Sequence, residues 1–372
     1  MKRVTSEDRL SPAEKRRVKA ITAPLARWFT KRARKLPWRA DRDPYRVWIS
    51  EIMLQQTQVK TVIPYYERFL DRFPTVDDLA SADTDTVLEY WAGLGYYSRG
   101  RNLHRAAQLV VAEHSGRFPD ENKGLRALPG VGEYTAAAIG SIVLDHAVPV
   151  IDGNVERVLA RFLALSGDPK RGESNRRLRA AAELAIPEKN PGDHNQAVME
   201  LGATVCSPRS PSCGECPIAN GCEANRLQRQ EEFPPPRKRR APEQQRWVAA
   251  VVEGPTVDGE PTIWVSRSPD RVPFLRGHWA VPLLSVDGPE APTGHDEAIN
   301  ALKEQLAEEL DLLATRGEPA GYVRHSITYR RLEIQAYRFG TRRRTPGAEG
   351  KFLPRSEIGT LAALYRKIVT AE

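Results

Sequence analysis

Four cysteines and two carboxylates are the residues of this 372-residue chain whose types and spacing suit chemistry. The cysteines fall in one short segment, Cys206-x6-Cys213-x2-Cys216-x5-Cys222, with none elsewhere. Disulfides there would staple only a small loop of a large protein, whereas four soft thiolates without a histidine suit a metal in a reducing compartment. Ligand type leaves a structural zinc and an iron-sulfur cluster both open. Glu51 stands in Trp48-Ile49-Ser50-Glu51-Ile52-Met53-Leu54-Gln55-Gln56-Thr57, which reads as a largely apolar helix. A lone acid there has its pKa raised and stays protonated long enough to act as a general acid. Asp152, in Val150-Ile151-Asp152-Gly153-Asn154-Val155, sits just before a helix. The plain structural alternatives are a solvated helix face for Glu51 and an N-cap for Asp152. Breaking a glycosidic bond calls for such a pair, one acid to protonate the leaving group and one carboxylate beside the developing sugar cation.

A second signal is Leu128-Pro129-Gly130-Val131-Gly132 ahead of a helical run from Glu133 to Leu144. Gly130 and Gly132 at a helix entrance let backbone N–H groups point outward and hold an anion, with the helix dipole adding attraction. An ordinary tight turn is the alternative. The net charge is +8 and the pI about 9.3, with basic residues crowded in Lys31–Arg46 and Arg237–Arg240. A polyanion is the natural partner for such a chain, although a basic surface kept for solubility accounts for charge equally well. The opening MKRVTSEDRLSPAEKRR has no apolar core after its charges, and no run of 18 apolar residues occurs. The expectation is a protein neither secreted nor membrane-spanning.

The elements that must position these residues are helical from about Pro12 to Cys222, with apolar residues at three- and four-residue steps, as in Val47, Trp48, Ile52, Val59, Val62 and Ile63. Thr75 with Asp78 three residues on predicts a capped start for the helix carrying Leu79 and Leu88. Between Arg226 and Arg246 the apolar content collapses into QRQEEFPPPRKRRAPEQQ, the composition of a linker. Beyond it, Trp247–Val252, Thr262–Ser266 and Arg331–Phe339 read as strands. A helix bearing Ile299, Leu302, Leu306, Leu310 and Leu313 on one face interrupts them, and a last helix spans about Ser356–Thr370. The length predicts two or three domains, the last of them α+β.

Leu36-Pro37-Trp38-Arg39, Ser50-Glu51-Ile52-Met53-Leu54-Gln55-Gln56-Thr57-Gln58-Val59, Gly93-Leu94-Gly95-Tyr96-Tyr97-Ser98-Arg99 and Ile151-Asp152-Gly153-Asn154-Val155 together resemble the MutY-type adenine DNA glycosylases over about Leu25 to Cys222. These belong to the endonuclease III superfamily, whose cysteine spacing and helix-hairpin-helix turn are also similar to those here. The resemblance implies a six-helix barrel with the helix-hairpin-helix over 45–146, and an iron-sulfur cluster helical domain over 12–44 and 147–223. A linker over 224–245 and a Nudix-like 8-oxoguanine-recognition domain over 246–372 would follow. It implies a [4Fe-4S] cluster on Cys206, Cys213, Cys216 and Cys222, and duplex DNA as partner, with adenine opposite 8-oxoguanine or guanine as substrate. Glu51 would protonate the adenine and Asp152 would stabilise or trap the sugar cation. Asn154 and Tyr134 would line the reaction site, and Trp38 and Arg39 the adenine pocket. Gln56, Thr57, Leu94 and Tyr96 would approach the opposite base and fill the stack that a flipped base leaves.

Bifunctional relatives carry a lysine after the helix-hairpin-helix glycines, where this chain has Glu133-Tyr134-Thr135. Base removal without strong lyase activity is therefore expected. In the C-terminal part Gly277-His278-Trp279-Ala280-Val281-Pro282 is similar to the family's Gly-x-Trp-x-x-Pro stretch, but the Nudix signature is incomplete in Glu304-Gln305-Leu306-Ala307-Glu308-Glu309-Leu310-Asp311. Diphosphate hydrolysis is not expected. Where the family has Phe-Ser-His, this chain has Ile327, Thr328 and Tyr329, so Thr328 or Tyr329 becomes the candidate contact to 8-oxoguanine. The resemblance further points to a monomer on the bacterial nucleoid in the cytoplasm, with a sliding clamp or mismatch-repair protein as an additional partner. Alternatives left open are a glycosylase for thymine or uracil opposite guanine, a non-catalytic iron-sulfur DNA-binding or redox-sensing protein, and a Nudix hydrolase.

Overall fold

The computed structural model describes residues 9–236, 240–256, 259–288, 291–341 and 350–371, so the basic residues Arg237, Lys238 and Arg239 lie outside the described residues. The chain divides into two compact units, Met1–Tyr90 with Ser98–Lys238, and Trp91–Tyr97 with Arg239–Glu372. Helices of the first part are α1 (Pro12–Lys19), α2 (Thr22–Arg32), α3 (Pro44–Leu54), α4 (Val59–Arg72), α5 (Val76–Ser81), α6 (Thr84–Trp91) and α7 (Ser98–His114). They continue with α8 (Asn122–Ala127), α9 (Glu133–Ile142), α10 (Gly153–Phe162), α11 (Gly172–Ala185), α12 (Pro191–Thr204) and α13 (Glu223–Arg226). None of the described helices is long and apolar enough to cross a membrane.

Local rules account for the helix starts. Ser11 and Glu14 form a capping box at α1, and Thr75 and Asp78 form the expected one at α5. At α3, Asp43 accepts from the Arg46 N–H and Pro44 fills the first turn, where a missing N–H costs nothing. The apolar steps from Val47 to Ile63 belong to two helices rather than one, because α3 stops at Leu54 and Gln56 takes a left-handed φ of 60°. Arg99 explains the stop. Its guanidinium donates to the carbonyls of Ile52 at 2.8 Å and Met53 at 3.0 Å, and also to that of Gln55, satisfying acceptors left over at the helix end.

Two apolar clusters among the described residues of the helical unit bear on the site. One gathers Leu25, Val158, Leu159, Phe162, Leu178 and Leu201 from α2, α10, α11 and α12, with half-buried Cys206, Cys216 and Cys222 packed on it. The other joins Val47 of α3 to Ala137, Ala138 and Ile142 of α9 and to Val150. The stretch with linker composition is partly folded: α13 and a 3₁₀ turn at Gln230–Glu232 occupy its start, and Phe233 is buried. Arg161, itself buried, anchors it by donating to the carbonyls of Gln230 at 2.8 Å and Phe233 at 3.0 Å. Backbone carbonyls are present in any composition, so the side-chain pattern carries no trace of this anchor.

The C-terminal part contains β1 (Glu243–Glu253), β2 (Thr262–Arg267), β3 (Trp279–Ala280), β4 (Leu283–Ser285), α14 (His295–Leu310), β5 (Ala314–Ile327), β6 (Arg330–Thr341), β7 (Gly350–Pro354) and α15 (Ala363–Val369). The sheet order is β3-β2-β1-β6-β5, with β4 also on β1 and β7 on β2. β1 and β6 run parallel from Glu243 opposite Arg330 to Glu253 opposite Gly340. Ala298, Leu302 and Leu306 of α14 pack on Val248, Ala250, Val252 and Phe339, making the expected α+β unit. Leu313 departs from expectation. α14 ends with Asp311 in the left-handed region at φ 49°, so Leu313 lies beyond the helix and is 57% exposed. The final helix is likewise split, a 3₁₀ turn at Arg355–Thr360 preceding α15.

Candidate active site

The helical unit encloses a cavity of about 840 Å³, lined by Trp38, Arg39, Glu51, Gln56, Thr57, Gly130, Gly132, Tyr134, Asp152 and Asn154. These come from elements far apart in sequence: the 3₁₀ turn Pro37–Arg39, α3 and its exit turn, the entrance of α9 and the entrance of α10. Leu94 and Tyr96 lie instead in Trp91–Tyr97, which groups with the second unit. There Leu94 is buried, while Tyr96, with φ 47°, is 48% exposed.

Glu51 sits on the buried length of α3 and is 6% exposed, which removes the solvated-face alternative. Burial pushes its carboxyl up to about 7. The nearby Tyr134 hydroxyl and Arg39 guanidinium oppose that rise and Asp152 adds to it. Its Oε2 is buried with no hydrogen-bond partner. The Tyr134 hydroxyl stands close enough to influence Glu51 but donates to Met199 Sδ at 3.6 Å.

Asp152 is both an N-cap and a cavity group. Its Oδ1 accepts from the Val155 N–H at 2.7 Å and its Oδ2 from Asn154 Nδ2 at 2.9 Å. Burial raises its pKa and these two bonds work against the rise. Asn154 is fixed in turn by Arg157, whose Nη2 donates to Asn154 Oδ1 at 2.9 Å and to the Gly202 carbonyl at 2.8 Å. Arg157 Nε donates to the Cys206 carbonyl at 2.8 Å, so a hydrogen-bonded path leads from the cysteine loop to Asp152. α12 comes this close because Gly202 lacks a side chain. A Cβ there would stand 2.5 Å from the Asn154 Cβ.

Sequence reasoning missed a second buried acid of the cavity, Glu200 on α12, which is 1% exposed. Arg34 Nε and Nη2 clamp it at 2.7 and 2.9 Å, and Arg39 Nη2 reaches it at 3.0 Å while Arg39 Nε donates to Gln196. Burial pushes the Glu200 carboxyl up, but the Arg34 and Arg39 contacts outweigh it and leave it below its ordinary value. The available signal was the one that marked Glu51: a lone acid in the apolar run Ala197-Val198-Met199-Glu200-Leu201.

At the entrance of α9 only one glycine is required by conformation. Gly130 has φ +78° and sits so close to Asn102 that a Cβ would come within 2.9 Å of it, whereas Gly132 is extended with open space around it. Gly132 is the N-cap and leaves the first N–H groups of the helix without a side-chain partner.

Cys206, Cys213, Cys216 and Cys222 are all half-buried. Burial pushes the Cys216 thiol up to about 12, with the other three cysteines adding to the rise. Such thiols are ionised only on a cation. Arg161 Nη1 donates to Cys206 Sγ at 3.3 Å and to the Ser207 carbonyl at 2.6 Å, fixing the loop from below. Among the described residues no three His, Cys, Asp or Glu side chains draw together tightly enough for a single ion. The donor set, four soft thiols and no imidazole, fits an iron-sulfur group.

In the C-terminal unit Thr328 and Tyr329 form the β5–β6 turn, with Thr328 at φ 57°. The Tyr329 ring has the Arg240 guanidinium 3.6 Å from its centroid and that of Arg330 at 4.6 Å. A separate cavity of about 540 Å³ in that unit holds Gln305, Glu309 and Arg271. There Arg271 pairs with Glu309, and Gln305 Nε2 donates to the Leu283 carbonyl at 3.2 Å.

The chain matches the model of HhH-GPD superfamily base excision DNA repair proteins over residues 49–183 and that of the iron-sulfur binding domain of endonuclease III over residues 206–222. It is 36% identical over 378 residues to an adenine DNA glycosylase of Rattus norvegicus, covering 89% of this chain and 72% of the relative. It is 47% identical over 225 residues to that of Homo sapiens, covering 58% of this chain and 41% of the relative. A solved thermostable thymine-DNA glycosylase is similar with a TM-score of 0.53 and 27% identity, covering 58% of this chain and 99% of that one.

Proposed function

Because the chain belongs to the adenine DNA glycosylases, enzymes of base-excision repair with an iron-sulfur domain, we propose that its helical cavity is where adenine is cut from duplex DNA opposite 8-oxoguanine or guanine. The observation that carries this is Glu51: a buried acid, held up to about 7, with one oxygen unpartnered, in the same cavity as Asp152.

Adenine flipped out of the stack enters the cavity beside Trp38 and Arg39, and the protonated Glu51 gives its proton to a ring nitrogen. The C1′–N9 bond breaks with its electron pair going to the base. Asp152, aimed by Asn154 and the Val155 N–H, faces the resulting sugar cation. Water then adds to C1′ and its proton returns to Glu51. Gln56 and Thr57, in the turn held by Arg99, and exposed Tyr96 take the stacking and opposite-base contacts, while the Gly130–Gly132 turn holds a phosphate. Cys206, Cys213, Cys216 and Cys222 would hold a [4Fe-4S] cluster, which supplies a rigid fastening for the loop that Arg157 and Arg161 grip and that presents Arg209 outward. Thr328 or Tyr329 probes 8-oxoguanine. Base removal proceeds without an amine at the Tyr134 position.

Duplexes carrying adenine, thymine or uracil opposite 8-oxoguanine or guanine, treated with protein and then alkali, test the reading. Strand breaks at adenine opposite 8-oxoguanine and guanine are the expected result. Breaks at thymine or uracil alone, or none at all, overturn it.

A further inference from the structure

The acids among the described residues lining the helical cavity are Glu51, Glu133, Asp152 and Glu200. Glu133 is paired with Arg179, and Asp152 accepts from the Val155 N–H and from Asn154. Glu200 Oε1 accepts from the Arg34 N–H at 3.0 Å and from Arg34 Nε at 2.7 Å, and its Oε2 from Arg34 Nη2 at 2.9 Å and Arg39 Nη2 at 3.0 Å. Glu51 Oε2 is left buried and unpartnered. Arg39, whose side chain is 17% exposed, is held at each nitrogen of its guanidinium. Besides Nη2 on Glu200, Nε donates to Gln196 Oε1 at 3.0 Å and Nη1 to the Arg34 carbonyl at 3.2 Å, with the Phe29 ring centroid 5.2 Å away. Of those three acceptors only Glu200 is charged, so it supplies the strongest of the restraints.

The groups facing Glu51 come from every element around it. Tyr134 of α9, Asp152 at the entrance of α10 and Arg39 of the 3₁₀ turn all act on its carboxyl. From α7, Arg99 is taken up by the carbonyls at the exit of α3, and the Lys170 amine lies 3.8 Å from Glu156. From α4, Val59 lines the cavity and carries no charge. Arg39 is thus the cation that bears on Glu51. Without the Glu200 carboxylate a largely buried guanidinium on a flexible stem would stand in a cavity whose unpartnered carboxylate oxygen belongs to Glu51. An unpaired buried cation is costly, and pairing with Glu51 is the relief the cavity offers.

We propose that Glu200 is a positioning residue for excision: its carboxylate ties the Arg39 guanidinium to α12 and so keeps that cation from pairing with Glu51. This rests on the glycosylase reading above. Glu200 touches no reacting atom and acts through Arg39. A cation brought into contact with a carboxyl lowers its pKa by about 1–3 units, so release of Arg39 strips Glu51 of the proton it gives to the base.

The test follows adenine release by the full-length protein across the pH range, in single turnover at saturating protein, and reads the position of the alkaline limb rather than the height of the plateau. Glu200→Gln is expected to move that limb down by about one pH unit or more. Adding Arg39→Gln to it should return the limb to the wild-type position or above, whereas adding Arg34→Gln should leave it low. A limb that stays in place in Glu200→Gln overturns the proposal. Equal restoration by Arg34→Gln and Arg39→Gln also overturns it, since net charge rather than the placement of Arg39 would then be at work. Should Glu200→Gln melt too low to assay, Glu200→Asp, with its shorter arm, is expected to move the limb in the same direction by less, and an unmoved limb there counts equally against the idea. A melting comparison needs no activity: Glu51→Gln should raise the melting temperature at pH 8 in the wild-type background and lower it in the Glu200→Gln background, where Glu51 has become the partner of Arg39. A rise in both backgrounds overturns the proposal. Absence of adenine release from the wild type overturns the glycosylase reading, and the melting comparison then decides the role of Glu200 by itself.

Discussion

In the helical unit the cavity acid Glu51 is buried with an oxygen left unpartnered, whereas in the C-terminal unit the cavity acid Glu309 has a side chain 43% exposed and is paired with Arg271. Both stand on a helix beside a cavity, and only the first is arranged to give up a proton. A carboxyl becomes a general acid when burial outweighs whatever cation stands near it, as at Glu51, where the Arg39 guanidinium opposes the rise without cancelling it. Within the helical cavity itself Glu200 makes the same point: as buried as Glu51, it is clamped by two arginines and held below its ordinary value. Burial and the number of cations in contact together set which of these carboxyls is held above its ordinary value and which below.

The sharpest way to break this contrast is to remove each acid in turn. Glu51→Gln is expected to lower single-turnover adenine release by roughly a thousandfold, within the usual range for a general acid. Glu309→Gln should leave it within about twofold, and neither protein should hydrolyse nucleoside triphosphates. Comparable losses in both variants would mean that the two acids are not distinguished by their surroundings.

The pH dependence follows from the same difference. With the Glu51 carboxyl moved from 4.5 to about 7, excision should fall about tenfold per pH unit above 7, since the proton donor is then lost. Between pH 4.5 and 7 the folded protein holds a proton that the unfolded chain has released, so stability declines as pH rises through that window and the cost is complete above it. A shift of this size is worth a few kcal/mol. Glu51→Gln should therefore melt above wild type at pH 8 and together with it near pH 4.5, in a thermal scan of both proteins. A variant that melts lower at pH 8 would show that Glu51 is not held protonated by burial.

Smaller effects should come from the supporting regions. Cys213→Ser is expected to weaken duplex binding by roughly tenfold and lower the melting temperature before it slows the chemical step at saturating protein. A variant that folds and binds normally would contradict the fastening role. Tyr329→Ala is expected to cost a few-fold in excision opposite 8-oxoguanine and less opposite guanine. Equal loss on both duplexes, or none, would remove the β5–β6 turn from damage recognition.

The parts of the site legible in the sequence were those whose chemistry is written in a short unbroken run. Glu51 in an apolar helix, Asp152 ahead of α10, the Gly130 turn and the four cysteines each announce a local requirement for burial, capping, a positive φ or a metal. The helical and α+β character of the two parts was legible for the same reason, since periodicity is local. The break at Gln55–Gln58, the anchored linker and the position of Leu313 were not. They depend on a distant guanidinium meeting backbone carbonyls, as Arg99 and Arg161 do, or on a single left-handed residue.

By itself, then, the chain's sequence determined which residues bear acids and thiols, and which segments are helices or strands. Tertiary structure decided which acid keeps its proton. Arg34 and Glu200 meet across 166 residues, Arg157 joins the cysteine loop to Asn154, and Lys170 reaches Glu156 from a separate turn. Electrostatic environment is set by neighbours in space, and no periodicity along the chain records it.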